Sequence, residues 1–105
     1  MAEISQQELL QALHNNNPPT VIDVRTRFEY DAGHIDGAVR IPFLGVLWHT
    51  GRLPADKNHP LVLTCEHGPR ASIAKWLLRL LGYRRLLYLS GHMAAWKQQQ
   101  RPTVS

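Results

Sequence analysis

The spacing of hydrophobic and polar positions changes several times along this 105-residue chain. "SQQELLQALHN" opens on Ser5 with Glu8 three residues later, the reciprocal pattern of a capping box, and Ile4 and Leu9 flank it as a hydrophobic staple. That predicts a helix starting at Ser5. "TVIDV" (20–24) is short, β-branched and mostly apolar, the signature of a buried strand. "TRFEYDAG" (26–33) repeats the capping box with Thr26 and Glu29 and ends on Gly33, which predicts a helix of about two turns. "AVRI" (38–41) reads as a strand stopped by Pro42, and "FLGVLWHTGRLP" after it fixes nothing beyond a short helical turn. "LVLT" (61–64) is a third strand. Pro69 then suits the first position of a helix, and Ala74, Leu77, Leu78 and Leu81 fall on one apolar face that Gly82 terminates. "LLYL" (86–89) is a fourth strand, and "GHMAAWKQQQ" a last helix.

Strands that alternate with helices imply right-handed crossovers. The expected fold is α/β: a small, mostly parallel sheet of four to five strands flanked by helices on both faces. No repeat, low-complexity tract or linker divides the chain, so one domain is expected over 1–105, with residues 100–105 a flexible tail. A chain this long can bury one modest core, and its 44% hydrophobic content suits that. A single cysteine excludes an internal disulfide. "MAEISQQELL" lacks the apolar core of a signal peptide, and no apolar run approaches the ~18 residues of a membrane span. The expected setting is the cytoplasm, with no membrane partner, and the expected state is a monomer.

Net charge is +4, and the excess lies in the second half. From Cys65 onward come Arg70, Lys75, Arg79, Arg84, Arg85, Lys97 and Arg101 against the single acid Glu66. These bases are spread out and no nucleic-acid motif accompanies them, so a solvated helix face is the reading and no nucleic-acid partner is expected. Six histidines and one cysteine show neither His-x-x-x-His nor Cys-x-x-Cys spacing, so no metal site is expected.

The chemistry concentrates in "LVLTCEHGPRASIAKWLLRLLG". Cys65 follows a strand, at the end where open α/β sheets form their ligand crevices. The loop Cys65-Glu66-His67-Gly68-Pro69-Arg70 runs into a helix N-terminus, whose unpaired N–H groups and dipole favour a thiolate over a thiol. Gly68 permits the tight turn. Arg70 adds a cation with a fork suited to an oxyanion. Pro69 removes one N–H donor from the cradle, and Glu66 places a carboxylate against both a thiolate and an anionic substrate.

These residues resemble the rhodanese (sulfurtransferase) family in its single-domain form. Cys65, Gly68 and Arg70 match that family's Cys-x-x-Gly-x-Arg loop. Upstream, "IDVRTRFEYDAGHIDGAVRIP" is similar to its other signature through Asp23, Arg25, Glu29, Gly33, His34, Ile35, Gly37, Ala38 and Pro42. Downstream, "YLSGHMAAW" is similar to Leu-x-Gly-Gly-x-x-x-Trp through Leu89, Gly91 and Trp96. His92 stands where the family has its second glycine, and Ala71 where a serine or threonine often follows the loop. The resemblance implies sulfur transfer without a metal or organic cofactor. Cys65 would take the sulfane sulfur of a small anionic donor such as thiosulfate as a persulfide. It would pass that sulfur to cyanide, a thiol or dithiol, with a protein sulfur carrier among the acceptors. Arg70 would hold the leaving anion, and Asp23 and Arg25 would form the supporting shell.

Two other functions use the same residues. A non-catalytic rhodanese-like binding or regulatory module has no need to keep Cys65 and Arg70. Phosphatases and arsenate reductases with a cysteine loop place five residues between Cys and Arg, and here there are four, Glu66 to Pro69. Elsewhere, His67 is expected to face solvent from the loop, and His34 to tie the segment after the short helix. Trp48, Trp76 and Trp96 are expected to pack.

Overall fold

The computed structural model describes residues 2–105; Met1, the first residue of the expected domain, lies outside the described residues. Five strands form one sheet: β1 (Glu3–Ile4), β2 (Thr20–Asp23), β3 (Val39–Arg40), β4 (Leu61–Thr64) and β5 (Leu86–Leu89). Every pairing is parallel and the order is β1-β5-β4-β2-β3. Four helices connect or flank them: α1 (Gln6–Ala12), α2 (Arg27–Asp31), α3 (Pro69–Leu80) and α4 (His92–Gln98). The ambiguous segment after Pro42 forms two single 3₁₀ turns, Gly45–Leu47 and Thr50–Arg52. The four expected strands and four expected helices are present. The fifth strand, β1, is two residues that sequence reading took only as the flank of a helix cap; it pairs Glu3 with Tyr88 and Ile4 with Leu89. Two residues carry too little pattern to announce a strand, and the exposed edge of β5 recruits them.

The local signals work as written. Ser5 and Glu8 exchange both capping-box bonds, each at 3.1 Å, and Thr26 and Glu29 do the same at 3.0 and 3.3 Å. Two apolar clusters fill the two sides of the sheet. One gathers Ile22, Leu61, Leu63 and Cys65 under Ala71, Ala74 and Leu78 of α3. The other gathers Val21, Val62 and Leu89 under Leu9 of α1 and Met93 and Trp96 of α4. Strand side chains alternate between these sides, which is why 61 and 63 join one cluster and 62 the other.

Residues 100–105 run along the α4 side. Trp96 Nε1 donates to the Pro102 carbonyl at 2.8 Å, Arg101 Nε to Gln6 Oε1 at 3.0 Å, and His34 and Val104 form an isolated antiparallel bridge. A polar sequence hides this, because the contacts join main-chain groups and side chains from distant parts of the chain. Of the three tryptophans only Trp96 packs, at 1% exposure; Trp48 and Trp76 are 76% and 58% exposed. Trp76 lies on the outer side of α3, where Lys75 and Arg79 sit over its ring. No helix among the described residues is long and apolar enough to cross a membrane.

Candidate active site

The carboxyl ends of three strands meet at Cys65. β4 is central; β2 runs beside it in the register Asp23↔Thr64, and β5 on the other side in the register Leu63↔Tyr88. Residues just beyond each strand end therefore converge: Arg25 from β2, Cys65 from β4 and His92 from β5. This is the crevice position of open parallel sheets.

The cysteine loop is a tight turn between β4 and α3. Gly68 sits at φ +126°, a conformation that side-chain-bearing residues rarely adopt, and Pro69 begins α3. The turn brings the Gly68 N–H to 2.8 Å from Cys65 Sγ, so the sulfur accepts a main-chain hydrogen bond where the sequence placed an anion cradle. Two further bonds fasten the loop from the other side: Met93 N–H donates to the Cys65 carbonyl and Ala94 N–H to that of Glu66, both at 3.0 Å. Cys65 has no exposed surface.

The charged residues arrange themselves differently from the sequence expectation. Arg70 is not a free cation. Its Nη1 and Nη2 donate to Glu29 Oε1 and Oε2 at 2.6 and 2.9 Å, a bidentate fork. Glu29, read from sequence as the cap of α2, thus also ties α2 to the cysteine loop. The Arg70 hydrogen bonds outweigh the opposing effect of partial burial and hold the Glu29 carboxyl at about 2. A carboxyl lowered from 4.5 stabilises the fold above that value, and the contribution fades as pH falls toward about 2. With 28% of both side chains exposed, solvent screening leaves about 1–2 kcal/mol. Glu29→Gln should therefore lose about 1–2 kcal/mol in urea unfolding at pH 7 and only about a few tenths of a kcal/mol at pH 2, where the wild-type carboxyl is half protonated. A loss equal at both values would mean that the ion pair contributes nothing.

Asp23 and Arg25, expected as a supporting shell, form a buried pair. Arg25 Nε and Nη2 donate to Asp23 Oδ1 and Oδ2 at 2.9 and 2.8 Å, and both side chains are fully buried. Burial opposes the Arg25 charge, and the Asp23 and Glu66 carboxylates outweigh it. Arg25 also donates to the Gly33 carbonyl at 2.9 Å and to Glu66 Oε1 at 3.2 Å. Glu66 Oε2 lies 3.2 Å from Lys97 Nζ of α4. The carboxylate expected to repel an anionic substrate is thus held between two cations, and its repulsion is largely compensated. Lys97 was invisible to sequence reasoning, because nothing local marks a lysine 31 positions away as a partner.

His67 is exposed, as expected. His34 ties the segment after α2: its Nδ1 bonds the Tyr30 carbonyl at 2.8 Å and its ring stacks on Tyr30 at 3.6 Å. His92, noted in the sequence only as a departure, accepts the Cys65 N–H on Nδ1 at 3.2 Å. A groove of about 510 Å³ lies elsewhere, among Leu10, Leu13, Pro18, Pro19 and Trp96, and no residue of the cysteine loop lines it.

A parallel α/β sheet with its cysteine in a tight loop between a central strand and a helix defines a small cysteine-loop domain. Residues 5–99 match the family model of the rhodanese-like domain, and the chain belongs to that family. It is 30% identical over 103 residues to a sulfurtransferase of Allochromatium vinosum, covering 98% of this chain and 94% of that protein. It is 31% identical over 101 residues to the probable adenylyltransferase/sulfurtransferase MoeZ of Mycobacterium tuberculosis, covering 96% of this chain and only 26% of MoeZ. Among solved structures, the Alr3790 protein of Anabaena superposes with a TM-score of 0.84 at 30% identity, over 97% of this chain and 82% of that one.

Proposed function

We propose that this chain is a sulfurtransferase that carries sulfane sulfur on Cys65. The observation that supports it most is the Gly68 N–H at 2.8 Å from Sγ, at the carboxyl end of the central strand. In the first half-reaction the Cys65 thiolate attacks the outer sulfur of thiosulfate. The S–S bond of thiosulfate breaks, its electron pair leaves with sulfite, and a persulfide remains on Cys65. In the second, cyanide or a thiolate attacks the terminal sulfur, takes it as thiocyanate or a new persulfide, and returns the Cys65 thiolate. Each half-reaction balances without an outside oxidant, and the scheme is ping-pong. The loop N–H groups stabilise the terminal sulfur, which carries the negative charge of the intermediate. Arg70 is held at the loop by Glu29, whose carboxylate offsets much of its charge, so it orients the loop rather than clamping the leaving anion as a free cation.

The family and the sulfurtransferase-named relatives support the reaction class. A relative of Bacillus subtilis named putative sulfur carrier protein, 27% identical over 94 residues, supports a protein sulfur carrier among the acceptors. A non-catalytic binding module is the second reading, and the complete burial of Cys65 is the observation on its side. Intact mass separates the two. Incubation with thiosulfate should add one sulfur atom to the chain, and cyanide should remove it. A chain that gains no sulfur at millimolar thiosulfate is the module and not the enzyme.

A further inference from the structure

His92 touches both ends of the cysteine turn. Its Nδ1 accepts the Cys65 N–H at 3.2 Å, and a Cβ built on Gly68 would meet its Nε2 at 3.2 Å. The ring therefore sits between the residue that bears the sulfur and the residue whose N–H donates to it. The residue is 9% exposed and holds φ +54° at the first position of α4. A non-glycine residue at positive φ is uncommon and is retained where its side chain has a task.

The hydrogen bond fixes the tautomer. Because the main-chain N–H is the donor, Nδ1 must be bare, and the neutral ring carries its proton on Nε2. A protonated ring would present N–H to N–H, and the end of β4 would have to move. We propose that His92 is a positioning residue for the cysteine loop: the neutral ring fixes the Cys65 main chain against Gly68, and protonation releases that geometry.

The surroundings favour the neutral form. Burial pushes the His92 ring below its ordinary value of 6.5, Glu3 of β1 opposes that shift, and His67 of the loop adds to it. Tyr88 of β5 faces the ring at 6.0 Å, tilted by 51°. A histidine lowered in the folded state binds its proton more readily when unfolded. Its contribution to stability is thus present above 6.5 and lost as pH falls below it. The loop and the fold weaken together on acidification.

This inference rests on Cys65 as the sulfur carrier for its kinetic arm and not for its spectroscopic one. Wild type, His92→Gly and His92→Asn are compared between pH 5 and 8. Glycine tolerates positive φ and deletes the acceptor; asparagine also tolerates it and offers Oδ1 near the place of Nδ1, an acceptor that does not titrate. At pH 7.5, thermal unfolding should show all three folded. His92→Gly should lose about tenfold or more in kcat for thiosulfate:cyanide transfer, with His92→Asn recovering most of the loss. The ratio of His92→Asn to wild-type rate should then rise by up to about tenfold per pH unit below the titration of the wild-type ring. In amide NMR spectra of the wild type, the Cys65 cross-peak should shift in step with the His92 ring protons. A flat ratio between pH 5 and 8, full activity in a folded His92→Gly, or a Cys65 amide that ignores the titration would overturn the assignment. Should wild type form no persulfide, the sulfurtransferase reading fails, and the amide titration still decides the role of His92.

Discussion

Cys65→Ser should fold and transfer no sulfur. The serine hydroxyl can still accept the Gly68 N–H, which now reaches Sγ at 2.8 Å, so the loop keeps its turn. Placing a hydroxyl where the sulfur lies with no exposed surface, against an apolar cluster, costs about 1–2 kcal/mol, since its partner offsets part of the desolvation. The chemistry is lost for a different reason. An alcohol is not ionised near neutral pH and does not form a persulfide with thiosulfate. Cys65 is the only cysteine in the chain, so no other side chain can take its place. The thiosulfate:cyanide rate of Cys65→Ser should equal the buffer rate, and its mass should not rise with thiosulfate. Transfer above a few per cent of wild type would move the nucleophile away from Cys65 and sink the covalent scheme.

The largest loss of stability is expected from Arg25→Met. Arg25 holds Asp23, the Gly33 carbonyl and Glu66 at once, from a position with no solvent exposure. Methionine fills much of the volume and supplies none of the donors, which leaves the Asp23 carboxylate buried and unpaired. Breaking a buried pair in this way costs about 3–5 kcal/mol. Adding Asp23→Asn should return part of that loss, because the uncompensated charge is then gone. Urea unfolding of the two single variants and the double variant measures the coupling. A loss below about 1 kcal/mol for Arg25→Met, or strict additivity with Asp23→Asn, would show that the buried Asp23–Arg25 pair does not hold the end of β2.

These two residues were legible in the sequence to different degrees. Cys65 stood out because its signals are local: an apolar strand, a four-residue turn with a glycine, a proline at the first helical position and an amphipathic helix behind it. Every one of those is a short-range preference of the backbone, and each keeps its meaning in the fold. Arg25 lies two positions from Asp23, so their pairing is local as well. Its bonds to Gly33 and Glu66 could not be read, since they join residues 8 and 41 positions apart.

The alternation of strands and helices, both capping boxes, the apolar face of α3 and the cysteine turn follow from the chain itself, because hydrophobic period and end-capping act over a few residues. Tertiary structure alone decided the rest. It turned Glu29 from a helix cap into the anchor of Arg70, placed Glu66 between Arg25 and Lys97, docked residues 100–105 and set His92 under the loop. The physical reason is the same in each case. Parallel strands bring residues just past their carboxyl ends together from distant parts of the chain, and which charge meets which there depends on strand order and register. A change in the order β1-β5-β4-β2-β3 would keep every local element and scatter Arg25, Cys65 and His92 across the sheet.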